Sequence, residues 1–210
     1  MSCCRKEHAA IRLNGYVYAI GGYDSTKNEF LDSAEKYSIE TDKWEGIKPL
    51  NEIRCAPGMA VANIDSVNKI VVCGGYDGSD RLDTIEIYDS SIQEWSLVSA
   101  KLPIPLSNLA VLSYSDNRVV VLGGGNTSYY MNVTVIDLTT DETIELKQIP
   151  YGIDVRNKAI DCKGFIYIMG GKDKRCLQYS VKENKWKSVE QYPIENNLDS
   201  FSCALAYKIK

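Results

Sequence analysis

Residues 16–22 read YVYAIGG, an apolar run that ends in a pair of glycines. The same ending recurs in KIVVCGG at 69–75, RVVVLGG at 118–124 and FIYIMGG at 165–171. The first glycines of the four pairs, at 21, 74, 123 and 170, are separated by 53, 49 and 47 residues. A recurrence at this interval predicts a repeat architecture in which each unit is one small supersecondary structure.

A tyrosine followed seven residues later by a tryptophan is the second mark of the repeat. The pairs are Tyr37 and Trp44, Tyr88 and Trp95, and Tyr179 and Trp186, while Ile136 and Thr143 hold these places in the third repeat. Flat aromatic side chains with polar edges suit a surface on which one sheet packs against the next. We therefore predict that these pairs lie on the outer strands and contact the neighbouring repeat.

Each repeat reads as four short antiparallel strands. Aromatic and β-branched residues fill the apolar runs, and no helical spacing is sustained. Asn14-Gly15 separates the first two runs by a two-residue hairpin signal. The sequence predicts an all-β fold, a β-propeller whose units cover approximately 5–50, 54–100, 106–149 and 155–191, followed by an inner strand at 199–210.

The quoted runs resemble the kelch repeat, in which an apolar-Gly-Gly run precedes a Tyr and then a Trp. LDSAEKYSIETDKW at 31–44 and GGYDGSDRLDTIEIYDSSIQEW at 74–95 are similar to repeats of the BTB–kelch proteins. Kelch propellers mostly have six blades, so the resemblance implies a ring of six. We therefore expect that this chain is the C-terminal part of a longer kelch protein, with residues 199–210 completing a blade whose other strands are absent. A self-closed four-bladed ring is the alternative.

Composition and charge argue against several classes of function. The net charge is −4 and the isoelectric point is near 5.2, whereas surfaces for nucleic acid or anionic membranes are normally basic. His8 is the single histidine, so we expect no metal site, no cofactor and no catalytic activity. The seven cysteines are odd in number and lack a CxxC motif, which favours a reducing, cytoplasmic setting.

The resemblance also implies where a partner binds. In BTB–kelch adaptors the partner peptide crosses the face that carries the loops after the glycine pairs and the links between blades. It contacts arginines at inner-strand starts and residues just after the glycine pairs. The predicted partner-binding residues are Arg5, Tyr23, Arg54, Tyr76, Asn126, Tyr129, Arg156 and Lys172. Because Arg54 is placed in a surface link, Arg54→Ala is expected to weaken binding and leave stability nearly unchanged.

The expected function is protein–protein interaction. One hypothesis is substrate recognition in an adaptor of a cullin ubiquitin ligase, which requires BTB and BACK domains that these 210 residues do not contain. The other hypothesis is a scaffold, for example on cytoskeletal filaments. The sequence does not name the partner under either hypothesis.

Overall fold

The protein is described by a computed structural model that covers residues 1–125, 130–150, 159–170 and 175–189. Eighteen β-strands make up its regular structure, and the described residues contain no helix. It follows that no described segment forms an apolar helix able to cross a bilayer. The predicted all-β class is confirmed.

Sixteen of the strands form four antiparallel sheets, named here blades one to four. Blade one contains β1 (Ala9–Leu13), β2 (Tyr16–Ile20), β5 (Ala34–Ser38) and β6 (Lys43–Ile47). Blade two contains β7 (Gly58–Ile64), β8 (Val67–Cys73), β9 (Thr84–Asp89) and β10 (Glu94–Lys101). Blade three contains β11 (Ala110–Ser115), β12 (Arg118–Leu122), β13 (Val133–Asp137) and β14 (Thr143–Leu146). Blade four contains β15 (Ala159–Cys162), β16 (Phe165–Gly170), β17 (Arg175–Ser180) and β18 (Lys185–Val189).

The two remaining strands lie in the loop that follows the first glycine pair. β3 (Tyr23–Asp24) and β4 (Glu29–Phe30) pair as a short antiparallel ribbon. Residues 23–31 are mostly polar and do not reveal these strands, because two-residue strands leave no periodic pattern to detect. The last predicted strand, at 199–210, lies outside the described residues.

Consecutive blades pack face to face, and each interface has its own apolar core. One cluster joins blades one and two, a second joins blades two and three, and a third joins blades three and four. Two of the three repeated tryptophans contribute as predicted: the Trp95 indole N–H donates to the Lys48 carbonyl at 2.9 Å, and that of Trp186 donates to the Lys147 carbonyl at 2.8 Å, whereas Trp44 of blade one is 37% exposed. Each bond reaches the outer part of the preceding blade, so the indole both fills the core and fixes the register of neighbouring sheets.

The glycine pairs make room for the link that enters the next blade. A Cβ on Gly21 would lie 2.2 Å from the Arg54 carbonyl oxygen, and one on Gly74 would lie 2.4 Å from that of Leu106. In both pairs the second glycine is hydrogen-bonded to the same carbonyl. Gly22 N–H donates to the Arg54 oxygen at 2.8 Å, and Gly75 N–H donates to the Leu106 oxygen at 2.9 Å. A side chain at either of these first glycines would clash with a backbone carbonyl.

Arg54 holds this link from the opposite side, and the prediction that it projects from the surface is wrong. Its side chain is 0% exposed, and its guanidinium donates five hydrogen bonds. One goes to Glu86 at 2.9 Å, and others go to the Gly74 and Thr84 carbonyls at 2.7 and 3.0 Å. Arg54 also donates to Glu52, two residues away, at 2.7 Å, but the buried carboxylate of Glu86 lies 32 residues away in β9, beyond the reach of local sequence reasoning.

Arg5 repeats this arrangement in blade one, so its predicted surface position is also wrong. It donates to Glu35 at 2.9 Å and to the Gly21 and Ser33 carbonyls, and its side chain is 1% exposed. The second oxygen of the same carboxylate accepts from the Ser2 backbone N–H at 2.8 Å. Burial by itself would raise the pKa of Glu35, but these hydrogen bonds outweigh it and leave the pKa lowered.

Blade three contains neither the arginine nor the glutamate of this ion pair. Leu106 stands at the arginine position and Thr134 at the carboxylate position in the third strand, and both are buried. The shorter of the two backbone N–H bonds to Glu86, at 2.8 Å, comes from Asn51, and the equivalent residue in the third repeat is Pro103, which has no N–H. Because the arginine, the acid and this N–H are all absent from blade three, the Arg–Glu pair is a structural device within a blade.

We expect Gly74→Ala to destabilise the fold by about 2 kcal/mol or more, since the new Cβ meets a backbone carbonyl at a residue with φ of 60°. Gly46→Ala is the matched control, because Gly46 is exposed and nothing lies within 4 Å of an added Cβ. The control should change stability by no more than about 0.5 kcal/mol. Urea unfolding of both variants measures the difference, and equal midpoints would contradict the packing described.

A second prediction concerns the buried arginine. Arg54→Ala should destabilise the protein by about 3–5 kcal/mol, because Glu86 is left as an uncompensated buried charge. Lys48→Ala removes the exposed Lys48–Glu94 pair, whose side chains are 51% and 47% exposed, and should cost less than about 0.5 kcal/mol.

The double variant Arg54→Leu/Glu86→Thr introduces the two blade-three side chains and tests the same pair without leaving Glu86 as a lone buried charge. It should be more stable than Arg54→Leu alone, since no unpaired carboxylate remains buried. Thermal melting of the variants decides the matter. A double variant that melts below the single one would show that Arg54 acts independently of Glu86.

Candidate functional site

A cleft of about 440 Å³ opens at the end of the blades where the glycine pairs meet the links. This end of the blades, called the loop end below, lies opposite the β1–β2 and β7–β8 hairpin turns. Three parts of the chain supply the walls: the segment before β1, the loops after the glycine pairs, and the links that enter blades two and three. The lining residues are Lys6, Glu7, Tyr23, Asn28, Phe30, Cys55, Ala56, Tyr76, Arg81, Ser107 and Asn108.

A repeated backbone pairing builds the walls of the cleft. The residue that follows each of the first three glycine pairs forms an isolated antiparallel bridge with the chain entering a blade: Tyr23 with Lys6, Tyr76 with Cys55, and Gly125 with Ser107. The bridges are well formed, with N–H to oxygen bonds of 2.8 Å in both directions between Cys55 and Tyr76. Tyr23 and Tyr76 are thus held on the cleft by the main chain, as their predicted role requires.

Three residues at equivalent positions in successive repeats adopt left-handed backbone conformations. Glu7, Ala56 and Asn108 have φ of 54°, 51° and 56°, and all three line the cleft. Backbone hydrogen bonds connect each of the three to the next. Ala56 N–H donates to the Glu7 carbonyl at 2.7 Å, and Asn108 N–H donates to the Ala56 carbonyl at 2.8 Å. Non-glycine residues in this region of φ cost free energy and concentrate at functional sites.

Sequence reasoning missed these three residues. The available signal was positional, since each stands two residues after Arg5, Arg54 or Leu106. Their residue types share nothing, and a left-handed conformation at an alanine has no signature in the sequence. The same reasoning chose the arginines instead, whose side chains point into the blades.

Three aromatic rings form one wall of the cleft. Phe30 lies between two tyrosines, with its ring centroid 4.8 Å from that of Tyr23 and 5.4 Å from that of Tyr76. The Tyr76 hydroxyl donates to the Gly78 carbonyl at 2.8 Å, and the Tyr23 hydroxyl donates to the Asn28 side chain. The wall therefore combines a broad apolar surface with side chains already fixed in position.

The loop that carries Tyr23 is stabilised from within by Asp24. Its carboxylate accepts hydrogen bonds from the Thr26 hydroxyl at 2.6 Å and from the Thr26 and Lys27 backbone N–H groups at 2.8 and 3.3 Å. The Thr26 hydroxyl bond is the main reason why the pKa of Asp24 is lowered to about 2. The carboxylate stays ionised at neutral pH and keeps the turn closed.

Ionisable groups in the cleft are few. The Lys6 ammonium lies 4.8 Å from the centroid of the Tyr23 ring, in cation–π geometry. The Cys55 thiol donates to a Glu7 carboxylate oxygen at 3.2 Å, and burial followed by this hydrogen bond raises the pKa of Cys55 to about 12. At neutral pH the thiol is protonated, and therefore a poor nucleophile.

Of the predicted partner-binding residues, the structure brings Tyr23 and Tyr76 together on the cleft. Arg5 and Arg54 lie beneath it, in the ion pairs of blades one and two. Asn126, Tyr129, Arg156 and Lys172 fall outside the described residues. His8 is half-buried, and burial lowers its pKa. Within 1–125, 130–150, 159–170 and 175–189, no group of three or more His, Cys, Asp or Glu side chains is placed to hold a metal ion.

Comparison with known proteins agrees with this geometry. Kelch-like protein 23 of mouse is 28% identical over 98% of the chain, and its human counterpart is 29% identical over 98%. Kelch-like protein 40 of mouse is 27% identical over 91%. The chain spans 36% of the length of both Kelch-like 23 proteins. The solved structure of YjhT superposes with a TM-score of 0.73 at 12% identity, over 90% of this chain and 66% of that one, and so shares its fold.

Residues 7–207 match the KLHDC2/KLHL20/DRC7 Kelch-repeats domain. This match covers nearly the whole chain, and it confirms the resemblance on which the propeller was predicted. Kelch propellers generally bind proteins, so the chain is a protein-interaction module. The chain belongs to the kelch-repeat domain family.

Proposed function

We propose that this chain is the substrate-recognition region of an adaptor for a cullin ubiquitin ligase. The observation that carries the proposal is the cleft at the loop end, in which Tyr23 and Tyr76 are fixed on rigid blades. Tyrosines held in this way present a large contact area at low entropic cost, as is usual at binding hot spots. An adaptor needs a preformed surface of this kind to select its substrates.

The lengths of the relatives support the proposal. Kelch-like protein 23 extends well beyond the 36% of its length that this chain matches, which leaves room for the BTB and BACK domains of an adaptor. The repeats at 31–44 and 74–95 are similar to those of the BTB–kelch proteins. As part of the same proposal, we place the protein in the cytoplasm. Its seven cysteines are odd in number and lack a CxxC motif, which favours a reducing compartment.

Binding without catalysis belongs to this proposal. The best-placed nucleophile of the cleft, Cys55, is buried and has a pKa raised to about 12. Its neighbour Glu7 accepts a hydrogen bond from the thiol at 3.2 Å and does not activate it. The cleft offers contact surface and fixed hydrogen-bonding groups, which suit recognition of another protein.

The test uses the complete gene product, tagged and purified from cells with its partners. We expect a cullin subunit to co-purify with the wild type and equally with the double variant Tyr23→Ala/Tyr76→Ala. The amount of substrate that co-purifies should fall at least about tenfold with the double variant, since two aromatic anchors are lost. Quantitative mass spectrometry measures the cullin and the substrates in each preparation.

Ile92→Ala is the matched control, because Ile92 is a large apolar residue that is 66% exposed in the β9–β10 turn, away from the loop end. It should leave both groups of partners unchanged. Absence of a cullin from every preparation would contradict the adaptor role and favour the scaffold hypothesis. Equal substrate recovery with both variants would show that the loop-end cleft does not bind substrates.

A further inference from the structure

We propose that a groove on the outer rim of the protein, between blades three and four, binds an acidic segment of a partner protein. This rim groove is lined by Lys147 and Ile149 on the side of blade three and by Leu177, Lys185 and Trp186 on the side of blade four. Its volume of about 490 Å³ lies in the range of pockets that enclose several side chains. It shares no lining residue with the loop-end cleft, so the inference goes beyond the proposed function.

The corresponding place between blades one and two is closed by an ion pair. Lys48 and Lys147 are equivalent residues, because the carbonyl of each accepts the indole N–H of the next blade. The residue before the tryptophan is Glu94 in blade two and Lys185 in blade four. The Lys48 ammonium group pairs with the Glu94 carboxylate. At the rim groove a second lysine therefore occupies the position of the acid.

The interface between blades two and three also has an acid at its outer rim. The Ser99 hydroxyl of blade two donates to the Asp141 carboxylate of blade three at 2.8 Å. The described lining of the rim groove includes no Asp or Glu, and its charged members are the two lysines. Two cations without an acid attract an anionic group and repel a basic one.

Both lysines are available to a partner. Each is exposed, and no ion pair within the described ranges includes either of them. The Lys147 N–H donates to the Asn184 side chain at 2.7 Å, and the Lys147 carbonyl accepts the Trp186 indole N–H at 2.8 Å. Lys185 begins β18 and pairs with Ser180. The backbone of both lysines is thus ordered before a partner binds, which lowers the entropic cost of binding.

Trp186 provides an apolar surface in the same groove. It is half-buried, whereas its counterpart Trp95 is only 6% exposed. The buried Tyr179 ring packs against the indole, with the two ring centroids 4.8 Å apart. The buried side chains of Ile149 and Leu177 complete the floor. Because Tyr179 fills the space on its inner side, the indole keeps its uncovered part on the groove.

These features define the chemistry of the occupant. Two cations beside an apolar floor fit a segment in which Asp or Glu stands next to a large apolar residue. The net charge of −4 disfavours an extended polyanion such as nucleic acid. Kelch propellers generally bind proteins, so a protein segment is the occupant that fits these observations.

The experiment selects peptides from a random display library on the whole 210-residue chain and measures the enriched peptides by fluorescence polarisation. We expect a group of peptides with Asp or Glu beside an aromatic or large aliphatic residue. Lys185→Glu should weaken this group at least about tenfold, since one cation is lost and Lys147 becomes paired as Lys48 is. Tyr76→Ala, which alters the loop-end cleft, should leave the affinity unchanged, and added salt should weaken it.

Lys43→Glu is the matched control. Lys43 precedes Trp44 in blade one as Lys185 precedes Trp186 in blade four, and it is exposed and lies outside the rim groove. It changes the net charge by the same amount and should leave the affinity unchanged. Melting curves confirm that each variant is folded. Equal loss of affinity in Lys43→Glu and Lys185→Glu would show an effect of net charge alone and overturn the proposal.

Other results would also overturn it. Enriched peptides that respond to Tyr76→Ala but not to Lys185→Glu bind the loop-end cleft, which removes the rim groove as a site and leaves the proposed function standing. Peptides that respond to Lys185→Glu but contain no acidic residue would contradict the charge recognition. A single-stranded DNA oligonucleotide is the second probe, and its binding in place of the peptides would show a phosphate site instead.

Discussion

The close approach of the link carbonyls to the glycine pairs is the contact on which the rest of this structure depends. The Arg54 carbonyl lies where a Cβ of Gly21 would be, and it accepts the Gly22 N–H of blade one. The side chain of the same Arg54 reaches into blade two and pairs with Glu86. One residue thus joins two blades, by its backbone on one side and by its guanidinium on the other. The direction in which the chain leaves this residue is fixed as a result.

The cleft is built on that fixed point. Cys55 follows Arg54 and pairs with Tyr76, and Ala56 then turns through a left-handed conformation to reach the Glu7 carbonyl. The strain at Ala56 is supported by the hydrogen bonds around it, because a residue in such a conformation persists only where its surroundings determine it. The cleft therefore inherits its rigidity from the contacts between blades, and its side chains are already ordered.

Two solutions to the same structural problem occur side by side in this chain. Blades one and two fill the space beneath the link with a buried arginine and glutamate, whereas blade three fills it with Leu106 and Thr134. Replacement of a buried ion pair by apolar residues is often neutral or stabilising, provided that both charges leave together. Pro103 extends the exchange to the backbone, because the N–H at the position of Asn51 is also gone. The looser third repeat is consequently a complete alternative and not a damaged copy.

The sequence by itself determined the class of the fold, the four sheets and the contact between blades through Trp95 and Trp186. These features depend on residue types repeated at fixed intervals, and a repeat imposes the same local structure each time. It also placed Tyr23 and Tyr76 at the loop end of the blades, since their positions follow directly from the glycine pairs. Tertiary structure alone decided that Arg5 and Arg54 are internal, because Glu35 and Glu86, the buried carboxylates that pair with them, are 30 and 32 residues away. It alone decided that Glu7, Ala56 and Asn108 face the cleft, because a backbone turn set by contacts between blades leaves no pattern in the residues that adopt it.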